Sequence, residues 1–493
     1  MKTSPGLWVC ILLLAALTAQ PTSADSGIKS SVVKVYTVFN RPNYHEPWQR
    51  VGQQIFHGSG AIIAGERILT NAHVVSDQTF VRVRRAGEAR RYTAQVQSVA
   101  HESDLAILTV ADQRFFQGAT PLPIGELPNF QDKVTVYGFP DGGDKLSITE
   151  GIVSRIEHSR YAHSGAYLLT CQIDAPINSG NSGGPVMAND RMAGVAFQGI
   201  SGGDFENIGY MVPAPVVRHF LRDMEDGRHD GTPDLGISLQ KLENPDFRKK
   251  YALTDHPFGV LVNKVYPDSP ATGRLFTEDV LTAIDGENIA EDGTIEFRKG
   301  ERTFFGYGMQ QKQIGESVVL DVWRSGKPLK VRIDLTRSLD AERLVPHTRY
   351  DRPPTYFIIG GLVFEPLTLN YIKEYGTVGN GLSLAPTVLL NAYQNEEPET
   401  DRRQTVVLVK VLADEINVGY HDFVDTVIAR VNDRPISTMI DLVVAFESHT
   451  GPYHVVEDTH GFRLVLDRKK VEAVNSEILR RYGIGADRSA DLR

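Results

Sequence analysis

The feature that most limits what this chain can become is the texture of residues 31–210. Short β-forming runs follow one another there, among them "SVVKVYTVF", "GSGAIIAG", "RILTNAHVV", "FVRVR", "LAILTV", "KVTVYGFP", "SITEGIVSRIE", "YLLTCQID" and "MAGVAF", with Gly and Pro between them. Branched and aromatic residues suit a pleated backbone, and Gly and Pro interrupt it. Many short strands of this kind predict an all-β barrel or sandwich, and a stretch this long suits two barrels. A helix then closes the unit. "PAPVVRHFLRDMEDG" (213–227) opens on proline, puts Val217, Phe220, Leu221 and Met224 on one face and ends on Gly227.

Beyond a linker, "GRHDGTPD", the chain repeats itself. "GVLVNKVYPDSPA" (259–271) and "DVLTAIDGENI" (279–289) recur in weaker form as "VVLVKVLADE" (406–415) and "DTVIARVNDRPI" (425–436), an offset of about 147 residues. Two copies of one module are expected. A charged connector ending in Pro-Pro, "RSLDAERLVPHTRYDRPP" (337–354), separates them. The domain plan is therefore a leader (1–24), a β-rich domain (28–225), a first module (232–337), a connector (338–354), a second, divergent module (355–470) and a tail (471–493) that begins as a helix.

The length of 493 residues fits roughly three domains, and 41% apolar residues can fill several cores. A net charge of −9, with no basic block interleaved with aromatics, argues against a nucleic-acid partner. Lys2, the apolar run Leu7–Leu17 and "TSA" before Asp25 read as a secretory signal peptide, with "LTA" before Gln20 a second possible cut. The run is too short to span a membrane, and no later segment is apolar for long enough, so no stable span is expected after cleavage. The expected address is secreted or periplasmic. Of the two cysteines, Cys10 lies in the leader, which leaves Cys171 alone in "YLLTCQIDA" as a small buried hydrophobe without a disulfide partner.

The chemistry gathers around "INSGNSGGPVM" (177–187). Taken alone, such a run is a tight turn more often than a reactive site. Ser182 gains meaning from two other residues. Serine needs a base within hydrogen-bond reach, and the base needs a partner that sets its tautomer. His73 in "ILTNAHVVS" is the candidate base. Asp104 in "HESDLAILTV", a carboxylate directly before an apolar strand, is the candidate orienter. The order His73, Asp104, Ser182, at intervals of 31 and 78 residues, is that of chymotrypsin-type proteases. The glycines would let the N–H groups of Gly180 and Ser182, with Asn181 as a further donor, face a developing oxyanion.

"GSGAII", "ILTNAHVV", "SDLAIL" and "INSGNSGGP" together resemble the HtrA/DegP family of serine proteases, and "ENIGYMVP" before a helix fits the end of that family's protease domain. The repeated modules resemble its two PDZ domains. "SVVKVYTVF" followed by "NRPNYHEPWQR" looks most like the plant-type Deg branch. The resemblance is specific over about 31–220, good for the first module and weaker for the second. It implies a mainly β chain, a chymotrypsin-like double β-barrel protease domain followed by two PDZ-like α+β domains. The implied activity is an ATP-independent serine endopeptidase that degrades unfolded or damaged proteins under PDZ control. The implied assembly is a trimer or a multiple of trimers, with Tyr36, Phe39, Tyr44 and Trp48 as candidate contacts. Zymogens of the chymotrypsin type carry Asp before the serine, whereas this chain has Asn181. Activation by N-terminal cleavage is therefore not implied, and loop ordering biased by bound peptide is.

Pro176 stands where trypsin-like enzymes carry an acidic pocket base, with Asp174 two positions away, and Ala196, Phe197 and Gln198 would wall the pocket. A small or medium apolar side chain is the expected preference, unless Phe197 is simply core. A PDZ domain adds a peptide C-terminus as a strand and holds its carboxylate on backbone N–H groups. "HPFGVLV" resembles the family's carboxylate loop, which assigns Phe258, Gly259, Val260 and Leu261 to that role; "RRQTVVLV" in the second module lacks the glycine and suggests a structural or assembly role. No metal and no cofactor are expected, since there is no HExxH pair, cysteine cluster, P-loop or dinucleotide fingerprint. Expected partners are unfolded polypeptides, exposed C-termini and further copies of the chain. A PDZ-based chaperone or scaffold with slow or latent proteolysis is the rival reading, and a regulatory protease with one folded partner is a third.

Overall fold

The computed structural model describes residues 23–493 apart from 142, 203–204, 254–257, 339–342, 379–381 and 400. The apolar run of the expected leader, Cys10 and the "LTA" motif lie outside the described residues, as do His256 and Pro257 of "HPFGVLV".

After a helix, α1 (Ser23–Ser31), the chain forms β1 (Val32–Phe39), β2 (Gln54–Ile63), β3 (Arg67–Thr70), a one-turn helix α2 (Ala72–Val75), β4 (Gln78–Arg85), β5 (Tyr92–Ala100) and β6 (Leu105–Thr109). These six strands close into a barrel in the order β1-β2-β3-β6-β5-β4. A second barrel follows from β7 (Lys133–Gly138), β8 (Ser147–Arg160), β9 (Tyr167–Ile173), β10 (Pro185–Ala188), β11 (Arg191–Gly202) and β12 (Phe205–Pro213), in the order β10-β11-β12-β9-β8-β7. The two expected barrels are present, and α3 (Ala214–Asp223) follows them as the amphipathic helix expected there.

The apolar runs at the meeting of the barrels look continuous because they are buried on both faces. Ile62, Ile68, Ala106 and Leu108 point into the first barrel, while their neighbours Ala61, Ile63, Leu69, Leu105 and Ile107 join the large cluster that fills the second. Side chains alternate along a strand, so one run serves two cores. Cys171 is fully buried in the shared cluster, and burial pushes its thiol well up from the ordinary value.

The first module contains β13 (Ile237–Lys241), α4 (Pro245–Lys250), β14 (Val260–Val265), β15 (Val280–Ile284), β16 (Glu287–Asn288), β17 (Thr294–Arg298), β18 (Glu301–Phe304), α5 (Gly306–Gln310), β19 (Ser317–Arg324) and β20 (Lys327–Asp334). Its sheet runs β13-β14-β15-β19-β20, which leaves β13 at the edge. Phe258, Gly259, Val260 and Leu261, assigned above to carboxylate binding, lie elsewhere. Val260 and Leu261 pair with β13 on one side and β15 on the other, and Gly259 N donates to Ile289 O at 2.7 Å. An interior strand has no free edge for a peptide. A cavity of about 420 Å³ lies instead between β13 and α5, lined by Leu235, Ile237, Leu239, Phe305 and Met309 and walled on its other side by Arg160 and Tyr167 of the protease domain, Arg343 and His347 of the connector and Tyr393 of the second module.

In the second module β21 (Phe357–Ile359) turns through Gly360 and Gly361, both at positive φ, into β22 (Leu362–Pro366). The sheet continues through 406–411, 426–431, 453–458 and 463–467, with helices α6 (Leu369–Lys373), α7 (Thr387–Asn395) and α8 (Met439–Glu447). The last helix, α9 (Arg468–Arg481), is no appendage: Val471, Ile478 and Ile484 are buried in this module's clusters, and Ile358 N donates to Asp487 O at 2.7 Å.

The loop between β1 and β2 also differs from expectation. Tyr44 is 5% exposed within the second module's core, Trp48 packs edge-on to Tyr356, and His45 meets Tyr371 and Tyr375. Lys410 pairs with Glu46 at 3.2 Å. Tyr44 and Trp48, put forward as contacts between copies, are spent within one chain. No helix of the described residues is long and apolar enough to cross a membrane.

Candidate active site

His73 lies on α2, directly after β3, and Asp104 lies directly before β6, which pairs with β3. Strand pairing thus brings the two loops together. Asp104 sits at φ +52°, a left-handed conformation that Asp tolerates better than most residues. Its carboxylate accepts twice from His73, at 2.9 Å from the backbone N–H and 2.7 Å from Nδ1. Asn71 Nδ2 donates to Asp104 O at 2.8 Å. Burial alone would raise the Asp104 carboxyl, but the charge and hydrogen bonds of His73 hold it below its ordinary value. An ionised Asp104 keeps the proton on Nδ1 and leaves Nε2 bare, the form a general base needs.

The serine turn comes from the second barrel, and its glycines are there because backbone crosses it closely. A Cβ on Gly180 would stand 2.4 Å from Phe139 O, and one on Gly183 2.1 Å from Ser59 O. The three carbonyls before Ser182 alternate in direction. Ser179 O accepts from Asp141 N at 2.8 Å, Gly180 O from Ser59 Oγ at 2.7 Å and Asn181 O from Gly184 N at 2.9 Å. A trans peptide sends its N–H opposite to its C=O. The N–H groups of Gly180 and Ser182 therefore face away from those partners on one side, and among the described residues neither donates a hydrogen bond. Two such unengaged donors suit the pair that an oxyanion requires. Asn181 does not join them, because its N–H is already given to Asn178 O at 3.0 Å.

Ser182 Oγ donates to Phe197 O at 3.3 Å rather than to His73. The His73–Asp104 pair is in place, and the Ser182 hydroxyl is turned towards Phe197.

The remaining expected residues divide. Ala196 is fully buried and ties the serine turn, accepting from Gly183 N at 2.8 Å and donating to Gly184 O at 3.0 Å. The Phe197 ring stacks on Tyr161 at 4.8 Å, so it is core, and only its carbonyl reaches the site. Pro176 is half-buried with its carbonyl held by Thr149 Oγ1 at 3.1 Å. Gln198 pairs with Tyr210 on β12, and its side chain lies outside the described residues. Asp174 is exposed and accepts from Ile152 N at 2.6 Å.

Sequence reading missed Ser59 and Thr70. The Ser59 hydroxyl accepts from Phe139 N at 2.8 Å, Ser59 N donates to Ser182 O at 2.8 Å, and Thr70 Oγ1 donates to Ser59 O at 2.6 Å. Ser59 is the hydroxyl of "GSGAII", so the signal lay in a quoted motif without a role attached.

A His–Asp pair from one barrel, a serine from the next and two amides beneath it define a serine endopeptidase of chymotrypsin-like fold carrying two PDZ domains. Comparison with known proteins agrees. Residues 58–195 match the trypsin-like peptidase domain family, and residues 233–335 and 345–491 match PDZ domain families. The chain is 38% identical over 473 residues to the putative protease Do-like 3, mitochondrial, of Arabidopsis thaliana, covering 96% of this chain and 82% of that one. It is 40% identical to the chloroplastic protease Do-like 2 of the same plant, over 95% of this chain and 76% of that protein. A solved HtrA-type protease with a decapeptide aligns at TM-score 0.52 and 22% identity, covering 65% of this chain and 98% of its own. The chain belongs to the HtrA/DegP (Do-like) family of serine proteases.

Proposed function

We propose that this protease cuts unfolded or damaged polypeptides without ATP and that its first PDZ domain captures their exposed C-termini. The observation that carries this reading is that one chain joins a hydrogen-bonded His73–Asp104 pair and a glycine-set Ser182 to an apolar cavity along β13, the edge strand of the first PDZ sheet. A strand edge beside an apolar groove takes a peptide through backbone hydrogen bonds and so asks little of its sequence. The solved relative named above holds a decapeptide, which supports the same use here. Small or medium apolar residues are proposed before the cut bond. The chain works outside the cytosol in trimers or multiples of trimers. The relatives' names place them in mitochondria and chloroplasts, so N-terminal sequencing of mature protein and cell fractionation test the secreted or periplasmic address.

The test is an ATP-free incubation of mature protein with an unfolded casein-like substrate beside Ser182→Ala. The expected result is cleavage by the first and a loss of about 10⁵-fold or more in the second. Equal cleavage by both would overturn the serine mechanism. One observation favours a second reading, a chaperone with latent proteolysis: Ser182 Oγ rests on Phe197 O. Cleavage that appears only when C-terminal peptides are added would support latency.

A further inference from the structure

The connector between the PDZ domains reaches back to the first barrel and lies beside the catalytic pair. Tyr350 stacks on His163 with centroids 4.0 Å apart and on His101 at 4.7 Å, and its hydroxyl donates to His163 O at 2.9 Å. His163, in the loop between β8 and β9, has its ring 6.0 Å from that of His73. His73, His163 and Tyr350 line one cavity of about 290 Å³ with Phe39 and Phe56. The next residue, Asp351, has two partners on two different loops. It exchanges hydrogen bonds with Asp77, accepting from Asp77 N at 2.6 Å and donating its own N–H to Asp77 Oδ1 at 2.9 Å. Its other oxygen accepts from His101 Nε2 at 2.9 Å.

Both loops carry catalytic residues. Asp77 follows α2, the helix that bears His73. His101 opens the turn that ends on Asp104, where Asp104 N donates to His101 O at 3.2 Å. His101 Nδ1 also meets His163 Nε2 at 3.0 Å. We infer that Asp351 is a positioning residue of the catalytic pair: one carboxylate of the inter-PDZ connector joins the segment holding the base to the turn holding its orienter, and Tyr350 seats His163 against them. The inference deepens the protease reading and rests on it. The Asp351 side chain is 38% exposed, and its partial withdrawal from water would raise the carboxyl, yet the bond and charge of His101 hold it below its ordinary value, which keeps the joint ionised. Hydrogen-bonded joints of this kind matter to catalysis because small displacements of a base are costly in rate.

The consequence is that the protease site is completed from outside the protease domain. The test uses the full chain and two readouts: the rate at which a small fluorophosphonate labels Ser182, and kcat and KM on a short peptide. Asp351→Ala is expected to lower both the labelling rate and kcat about tenfold while KM moves less than about twofold. Asp351→Asn, which keeps an oxygen for Asp77 N but sets an amide NH2 against the donating His101 Nε2, is expected to recover only part of the loss. Adding His101→Ala to Asp351→Ala is expected to cost little further, because the two act through one joint. Unchanged labelling and kcat, or a change in KM alone, would overturn the proposal and leave the connector as a cleft wall. If Asp351→Ala does not fold, His101→Ala, which removes the donor to Asp351, alone carries the same expected loss. Absence of labelling in the unmodified protein would instead fail the protease reading.

Discussion

The two PDZ domains share a sheet plan and differ at one edge. In the first, β13 is the outer strand and lines a cavity with α5. In the second, the corresponding strand β22 is covered by β21, and β21 is covered in turn by the C-terminal residues, through Ile358 N to Asp487 O at 2.7 Å and Ser489 N to Tyr356 O at 3.0 Å. The Gly360–Gly361 turn makes that cover possible, since a two-residue hairpin of this type needs positive φ at both positions. The second domain also takes Tyr44 of the protease domain into its core. One copy leaves its outer strand without a further strand beside it, and the other has used its edge for assembly within the chain.

The largest expected effect tests the assembled copy. Tyr44→Ala empties a site that is 5% exposed, so calorimetry should show the second domain destabilised by about 3 kcal/mol with the first domain's transition unmoved. A change below about 1 kcal/mol would mean the loop merely rests on that domain. The open copy is tested by titrating a labelled C-terminal peptide. Ile237→Asp on β13 should weaken binding at least tenfold, about 1.4 kcal/mol, while Ile359→Asp on β21 should leave it unchanged. The reverse pattern would exchange the roles given to the two domains.

The smallest effect concerns how the open copy is held. His158 of β8 meets Thr303 Oγ1 at 2.9 Å and Gln310 Oε1 at 2.8 Å in the first PDZ domain. Burial pushes its pKa down to about 4 from an ordinary value near 6.5. The folded state thus prefers the neutral ring, and the unfolded or undocked state binds the extra proton first. Docking stability is full above about pH 6.5 and is lost as pH falls towards about 4, near 1 kcal/mol between pH 7 and 5.5. Limited proteolysis of the 227–234 linker across that range should follow this curve, and His158→Gln should flatten it.

The barrels and the triad were legible because both are written locally: strands in short apolar runs, His73 and Asp104 at strand ends, Ser182 among glycines forced by close backbone. What was not legible depended on partners far along the chain. "HPFGVLV" carries a glycine before an apolar run, as a carboxylate loop does, but an edge strand and an interior strand read alike until the neighbours are known. The oxyanion donors were half legible, since only the carbonyl partners reveal that Asn181 N is spent. The aromatic loop at 44–48 was read as a contact between copies, and only the fold showed that Tyr44 and Trp48 pack against the second module of the same chain. Tyr350 and Asp351 gave no signal, because their partners are 77, 101 and 163.

The strands at the seam of the barrels have one further consequence. Ala61, Ile63, Leu69, Leu105 and Ile107 belong to the same buried cluster as the second barrel's interior, and the base and the nucleophile stand on opposite sides of that seam. The halves of the machine therefore cannot drift apart without wetting a core that both barrels need. Loss of catalysis on heating should coincide with loss of the fold itself, so an enzyme with no disulfide across its domains still owns a hinge that does not open.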